Sequence, residues 1–190
     1  YGYHAVIVDD LEAEFFTPDQ SALLQRFVSE RGGGFLMLGG MECFQQGKYQ
    51  RTPIGDMLPV YLDRPGEGWP AGPVRLNLTR EGWLQPWARL RDTEAAEKSR
   101  LQTMPPFSVL NPVHEVKPGA SVIATVADPG GRSWPALVTQ RLPANLLPGQ
   151  PLCDQLVPAE LLVRPCVDAG LADAVDLERA QDRPSHAVVL

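Results

Sequence analysis

Apolar and polar positions alternate along this chain in blocks that name their own elements. His4 to Val8 (HAVIV) is apolar and β-branched without clean alternation, which predicts a strand buried on both faces. Asp9 and Asp10 end it, and Leu11 to Phe16 reads as a loop presenting Glu12 and Glu14. Thr17-Pro18-Asp19-Gln20 then signals a helix start: a capping threonine, proline at the first helical position, and glutamine placed to complete a capping box. Leu23, Leu24, Phe27 and Val28 follow at helical spacing, and Gly32-Gly33-Gly34 ends the run. Phe35 to Leu38 predicts a second buried strand, closed by Gly39 and Gly40.

Strand, helix, strand is the half-unit of an open parallel sheet, and in such sheets ligands gather beyond the carboxyl ends of the strands. Asp9, Asp10, Gly39 and Gly40 are therefore the candidate ligand-binding residues.

Downstream, Gly39 to Arg51 (GGMECFQQGKYQR) is a glycine-punctuated loop, and Thr52-Pro53 starts a short helix running to Leu58. Tyr61 to Pro73 is a loop rich in proline and glycine. Val74 to Leu78 alternates as a strand wet on one side. Glu81 to Leu90 places Trp83, Leu84, Trp87 and Leu90 on one helical face despite Pro86, and Asp92 to Gln102 predicts a surface helix. Ala120 to Ala127 and Trp134 to Gln140, joined by Asp128-Pro129-Gly130-Gly131, read as an antiparallel hairpin.

The character changes after Leu142. Residues 143–190 carry six prolines, two of the three cysteines, and seven acidic against three basic residues. Only Leu171 to Ala180 predicts a helix there. The organisation expected is one domain over 1–142 and an irregular, proline-rich tail over 143–190.

With 44% hydrophobic residues the chain has enough apolar material for a core. A net charge of −6 with no basic stripe argues against nucleic acid as a partner, and no apolar run approaches the roughly 18–20 residues that span a bilayer. The three cysteines (Cys43, Cys153, Cys166) form no C-x-x-C pair and the histidines (His4, His114, His186) no H-x-x-x-H pair, so neither a disulfide framework nor a zinc site is expected. No metal and no cofactor are predicted. The chain opens at Tyr1 almost directly into a strand and reads as a piece of a longer protein.

Taken together, VIVDD (6–10), the T-P-x-Q helix start, GGGFLMLGG (32–40) and the F…G-K-Y…TP-I-G-x-x-L-P-V run resemble a bacterial glutamine amidotransferase-like domain family within the class I glutamine amidotransferase-like superfamily. LTREGW (78–83), PWARLRD (86–92), MPPF (104–107), VKPGASVIATV (116–126) and WPALVTQR (134–141) extend the resemblance over residues 3–141. It implies a flavodoxin-like three-layer α/β/α sandwich with a mostly parallel central sheet. It also implies a bacterial parent of several domains, in some members membrane-anchored, whose other domains are the expected partners.

The chemistry of that superfamily does not carry over residue by residue. Its members with amidotransferase activity hold a nucleophilic cysteine on a tight strand-to-helix elbow, G-x-C-x-G, assisted by a later H-x-E segment. Here the elbow position is Gly39-Gly40, without a thiol, and no H-x-E occurs. His114-Glu115 are neighbours, which on a strand point to opposite faces. The tail departs as well: the Gly/Arg-rich turn and further strand of the family are not evident after Leu142, so 143–190 is either a genuine extension or a sequence altered relative to its relatives.

Four functional readings stand beside plainer ones. Cys43 is the candidate displaced nucleophile, with His114 or His4 as base; the plainer reading is a thiol packed under the sheet end, with Glu42 disfavouring the thiolate. Asp9, Asp10, Glu12 and Glu14 offer oxygens to Mg²⁺ or Ca²⁺, or form a solvated loop. Gly39-Gly40 with Gly47-Lys48-Tyr49 offers an anion cradle, although Tyr49 breaks the phosphate-loop spacing. Trp83 and Trp87 offer a sugar-stacking shelf or a core anchor, with Arg89 and Arg91 placed to pair with the acidic loop. The reading that follows is a pseudo-amidotransferase: a non-catalytic binding or assembly module of a larger bacterial protein. The alternatives are a Cys43-dependent amidotransferase or hydrolase, and a carbohydrate-associated domain.

Overall fold

The structure is a computed structural model that describes residues 2–64, 70, 72–108, 110, 111, 113 and 115–142, together with the backbone of 186–189. The predicted helix at 171–180, Cys153, Cys166 and His114 lie outside the described residues.

The first strand, β1 (Ala5–Asp9), leads through a 3-10 turn at Ala13–Phe15 into helix α1 (Pro18–Ser29). The predicted capping box forms: Gln20 N–H donates to Thr17 Oγ1 at 3.2 Å and Thr17 N–H to Gln20 Oε1 at 2.9 Å. Strand β2 (Gly34–Leu38) then pairs parallel with β1, Asp9 lying beside Leu38. Helix α2 (Pro53–Met57) follows, capped by Thr52, whose hydroxyl accepts from Gly55 N–H at 3.0 Å. Leu24, Phe27 and Val28 of α1 and Ile54 and Met57 of α2 close over Val6, Val8, Phe35 and Met37 of the strands. This is the main core, and it takes in Cys43, Phe44 and Tyr49 from the intervening loop.

The second half is built differently. Strand β3 (Arg75–Leu78) pairs antiparallel with β4 (Ala120–Ala127), and β4 antiparallel with β5 (Ser133–Arg141). The β4–β5 turn is held by Arg132 N–H donating to Asp128 Oδ1 at 2.9 Å, with Gly131 at φ 83°. So short a turn reverses the chain at once, whereas a parallel neighbour needs a crossover of a dozen residues or more. Between β3 and β4 lie helix α3 (Arg80–Leu84), a 3-10 turn at Pro86–Ala88, and helix α4 (Glu94–Thr103).

The single helix expected over 81–90 is thus broken. Gln85 and Pro86 interrupt it, and Leu84 and Leu90 are left exposed rather than on a buried face. Threonines again start the helices: Thr79 accepts from Gly82 N–H at 3.0 Å and Thr93 from Ala96 N–H at 3.3 Å.

The mostly parallel, flavodoxin-like sandwich is therefore corrected. The architecture is mixed α/β, with a parallel pair β1–β2 and an antiparallel trio β3–β4–β5 that do not pair with each other. A last strand, β6 (His186–Val189), lies between them, parallel to β2 and antiparallel to β5. The tail thus supplies a strand where an irregular segment was expected. Among the described residues no helix is long and apolar enough to cross a membrane.

Candidate functional site

The parallel pair does bring Asp10 and Gly40 together beyond its carboxyl end. Asp10 takes a left-handed conformation (φ 44°), which short polar side chains tolerate better than most. That turn sends its carboxylate over the second strand's exit. Asp10 Oδ1 accepts from Glu42 N–H at 2.8 Å, and a Cβ placed on Gly40 would lie 2.1 Å from the same oxygen. A larger residue fits there only if the Asp10 side chain moves aside.

From the far side, Asn111 brackets the same peptide. Its Oδ1 accepts from Gly40 N–H at 3.1 Å, and its Nδ2 donates to Gly40 C=O at 2.8 Å and to Gln46 Oε1 at 3.4 Å. An elbow that stabilises an oxyanion must keep backbone N–H groups open for it. At this bend the N–H groups of Gly40 and Glu42 are engaged by Asn111 and Asp10. Sequence reasoning missed Asn111. Its one local signal, an Asn before Pro112, marks a turn and says nothing of a partner 71 positions away.

Cys43 follows the bend but points inward, fully buried in the main core. Burial pushes its thiol pKa up. The N–H of Leu11 works against that, while the charges of Asp10 and Asp9 add to the rise. A buried thiol held protonated is a poor nucleophile at neutral pH. The opposing charges are those of Asp10 and Asp9, rather than Glu42. His4 is exposed at the start of β1, so a five-residue strand, roughly 17 Å long, separates it from the end where Cys43 sits.

The rest of the loop is closed on itself. Gly47 N–H donates to Cys43 C=O at 3.1 Å, Lys48 N–H to Gln45 C=O at 3.2 Å, and Tyr49 N–H to Phe44 C=O at 3.1 Å. The proposed anion cradle has spent these amides internally, and Lys48 Nζ reaches Glu14 Oε1 at 2.7 Å. Tyr49, fully buried, donates its hydroxyl to Leu11 C=O at 2.9 Å. Burial pushes the phenol pKa up, and nearby Cys43 and Glu12 add to the rise.

Phe44, Lys48 and Arg51 all adopt positive φ, at 53°, 60° and 58°. Each such residue costs roughly 1–2 kcal/mol, whereas full burial of an aromatic ring returns roughly 2–3 kcal/mol. Phe44 and Tyr49 thus offset the strain of the turn they anchor.

Asp9, Asp10, Glu12 and Glu14 do not converge. Among the described residues no three His, Cys, Asp or Glu side chains form a metal-holding group. Asp10 is committed to the bend and Glu14 to Lys48. The tryptophans also part company. Trp87 packs beside Ile123, Ala124 and Leu137 and donates Nε1–H to Gln85 Oε1 at 3.1 Å, while Trp83 lies 5.7 Å from Lys98 Nζ. Arg89 and Arg91 form no ion pair with the acidic loop, and Arg89 Nε is buried with no hydrogen-bond partner among the described residues.

A cleft of about 570 Å³ opens beside the bend, lined by Gly40, Met41, Gln46, Pro73, Ser108 and Asn111 among others. These side chains are uncharged, and Cys43 is not among them.

No protein-family profile matches the chain, and no curated protein matches it. Among solved structures it is similar to cytoplasmic protein STM3548 from Salmonella typhimurium, at 19% identity over 72% of this chain and 55% of that one, with a TM-score of 0.53. It is also similar to cytoplasmic protein STM1381 from Salmonella typhimurium LT2, at 22% identity with the same coverage and a TM-score of 0.48. The chain therefore spans about half the length of each. The first likeness speaks to fold alone, and the second is too loose to add to it.

Proposed function

We propose that this chain is a non-catalytic binding or assembly module, derived from an amidotransferase-like frame and working within a larger bacterial protein. The observation that carries the reading is the occupation of the bend. Asp10 and Asn111 engage the amides that an acyl-transfer site would hold open, and Cys43, the thiol of the described residues, is sealed in the core. The motif resemblance over residues 3–141 supports the ancestry, and the cleft beside Gly40, uncharged among the described residues that line it, is the surface offered for binding.

Two measurements test it. Glutamine-dependent ammonia release by the chain should be indistinguishable from that of Cys43→Ser, and turnover lost in the variant defeats the reading. In a pull-down, the chain should retain neighbouring domains of its parent protein, and Met41→Asp, at an exposed cleft position, should weaken that retention. No association with any neighbouring domain counts against the assembly role.

A further inference from the structure

The outer edge of β1 is unusual. Parallel strands are normally covered on both faces, and an open edge is a template for another chain unless lysine, proline or a bulge blunts it. β1 is the outermost strand of its sheet and, among the described strands, pairs only with β2. Its centre, Ala5-Val6-Ile7-Val8, carries none of the blunting devices. Val6 and Val8 turn to the core, so Ile7 faces the other way and is 57% exposed, with Tyr3 just before the strand 76% exposed.

We propose that this edge is a self-association surface. A second copy of the chain adds its own β1 antiparallel to the first, about a two-fold axis through Ile7, and the sheet continues from one copy into the other. Charge and register select this occupant and this direction. Residues opposed across an antiparallel pair must face the same side. A two-fold at Ile7 satisfies that requirement, setting Ala5 opposite Asp9 of the second copy and Val6 opposite Val8.

The acidic residues Asp9 and Asp10 stand at one end of the strand and His4 at the other. Antiparallel addition separates the two acidic ends and brings each to the histidine end of its neighbour. Parallel addition would stack Asp9 on Asp9, and like charges directly opposed are destabilising. The antiparallel arrangement is also closed, since the same patch serves both copies. Five residues a side make a small interface, so the dimer is weak, with Kd on the order of 100 µM. This inference is independent of the proposed function.

Analytical ultracentrifugation of the whole chain under reducing conditions tests it. The weight-average mass should climb from 20.8 kDa towards twice that value as concentration rises. Ile7→Lys should hold the chain monomeric with its circular dichroism unchanged, because Ile7 lies outside the hydrophobic clusters of the described residues. In Ile7→Cys, oxidation should link two copies through the introduced thiols, at a yield several-fold above wild type and mapped by peptide mass. A chain monomeric at roughly 500 µM, five times the expected Kd, overturns the proposal. So does a dimer that Ile7→Lys leaves intact, or an introduced thiol that forms no cross-link.

Discussion

Asp10 lies at the exit of the parallel pair, its carboxylate over the peptide of Gly40. It is held there by one backbone N–H and by the missing side chain of Gly40. Gly40→Ala should therefore destabilise the chain by about 1 kcal/mol in urea unfolding, since the Asp10 side chain must move and its hydrogen bond to Glu42 N–H is disturbed. Asp10→Ala in that background should recover part of the loss, because it removes the clashing carboxylate. If the two changes are additive, the contact is not the cause.

Asn111→Ala should cost about 1–2 kcal/mol, since it strips partners from both polar groups of a half-buried peptide. The glycines and aspartates at this bend were legible from their position after two apolar runs. The contact between them was not, because a side chain that hydrogen-bonds across 71 residues leaves no local pattern.

At the scale of elements, α4 shows how a polar surface helix is fastened down. Glu97 is fully buried. Its Oε1 accepts from Arg100 Nε at 3.0 Å and pairs with Arg100 Nη2 at 2.5 Å, while Oε2 accepts from Leu90 N–H at 3.2 Å. Burial alone would raise its pKa. The Arg100 hydrogen bond and charge, with the N–H groups of Leu90 and Arg91, outweigh that and hold it below the ordinary value of 4.5.

A carboxylate whose folded pKa is depressed contributes stability above its unfolded pKa, and loses it as pH falls through the folded one. Glu97→Gln should thus flatten the acid limb of the Tm–pH profile as the pH falls below about 4.5. Arg100→Met, which strands the buried charge, should cost about 3 kcal/mol at neutral pH. A wild-type acid limb unchanged in Glu97→Gln would remove this pair from the account.

In the loop between β2 and α2, Arg51→Gly should be neutral or stabilising by up to about 1 kcal/mol, since glycine relieves the left-handed strain at φ 58°. Clear destabilisation would mean that the arginine side chain, rather than its backbone, matters there. Helix starts were the legible part of this scale: Thr17 and Thr52 cap as their motifs predict. The periodicity of Trp83, Leu84, Trp87 and Leu90 misled, because Pro86 ends α3 before the pattern completes.

At the scale of the whole molecule, the strands were legible and their neighbours were not. Strands β1, β2, β4 and β5 fall within a residue or two of their apolar runs, and the β4–β5 hairpin was legible from its Asp-Pro-Gly-Gly turn. A buried-strand pattern, however, is equally compatible with either direction of pairing. The parallel half-unit at the amino end therefore suggested a mostly parallel sheet that the antiparallel trio contradicts. Strand β6, drawn from a proline-rich tail, was beyond local pattern altogether.

The mixed sheet gives the bend after β2 its setting. The main core rises beneath the loop, so Cys43, just past the bend, is drawn inward as packing.

Peptide-resolved alkylation of the native chain with iodoacetamide at pH 7.5 tests this most directly. Cys43 should label at least about 100-fold more slowly than a model thiol and reach the model rate only in denaturant. Labelling of Cys43 in the folded chain as fast as a free thiol, or faster, would contradict it.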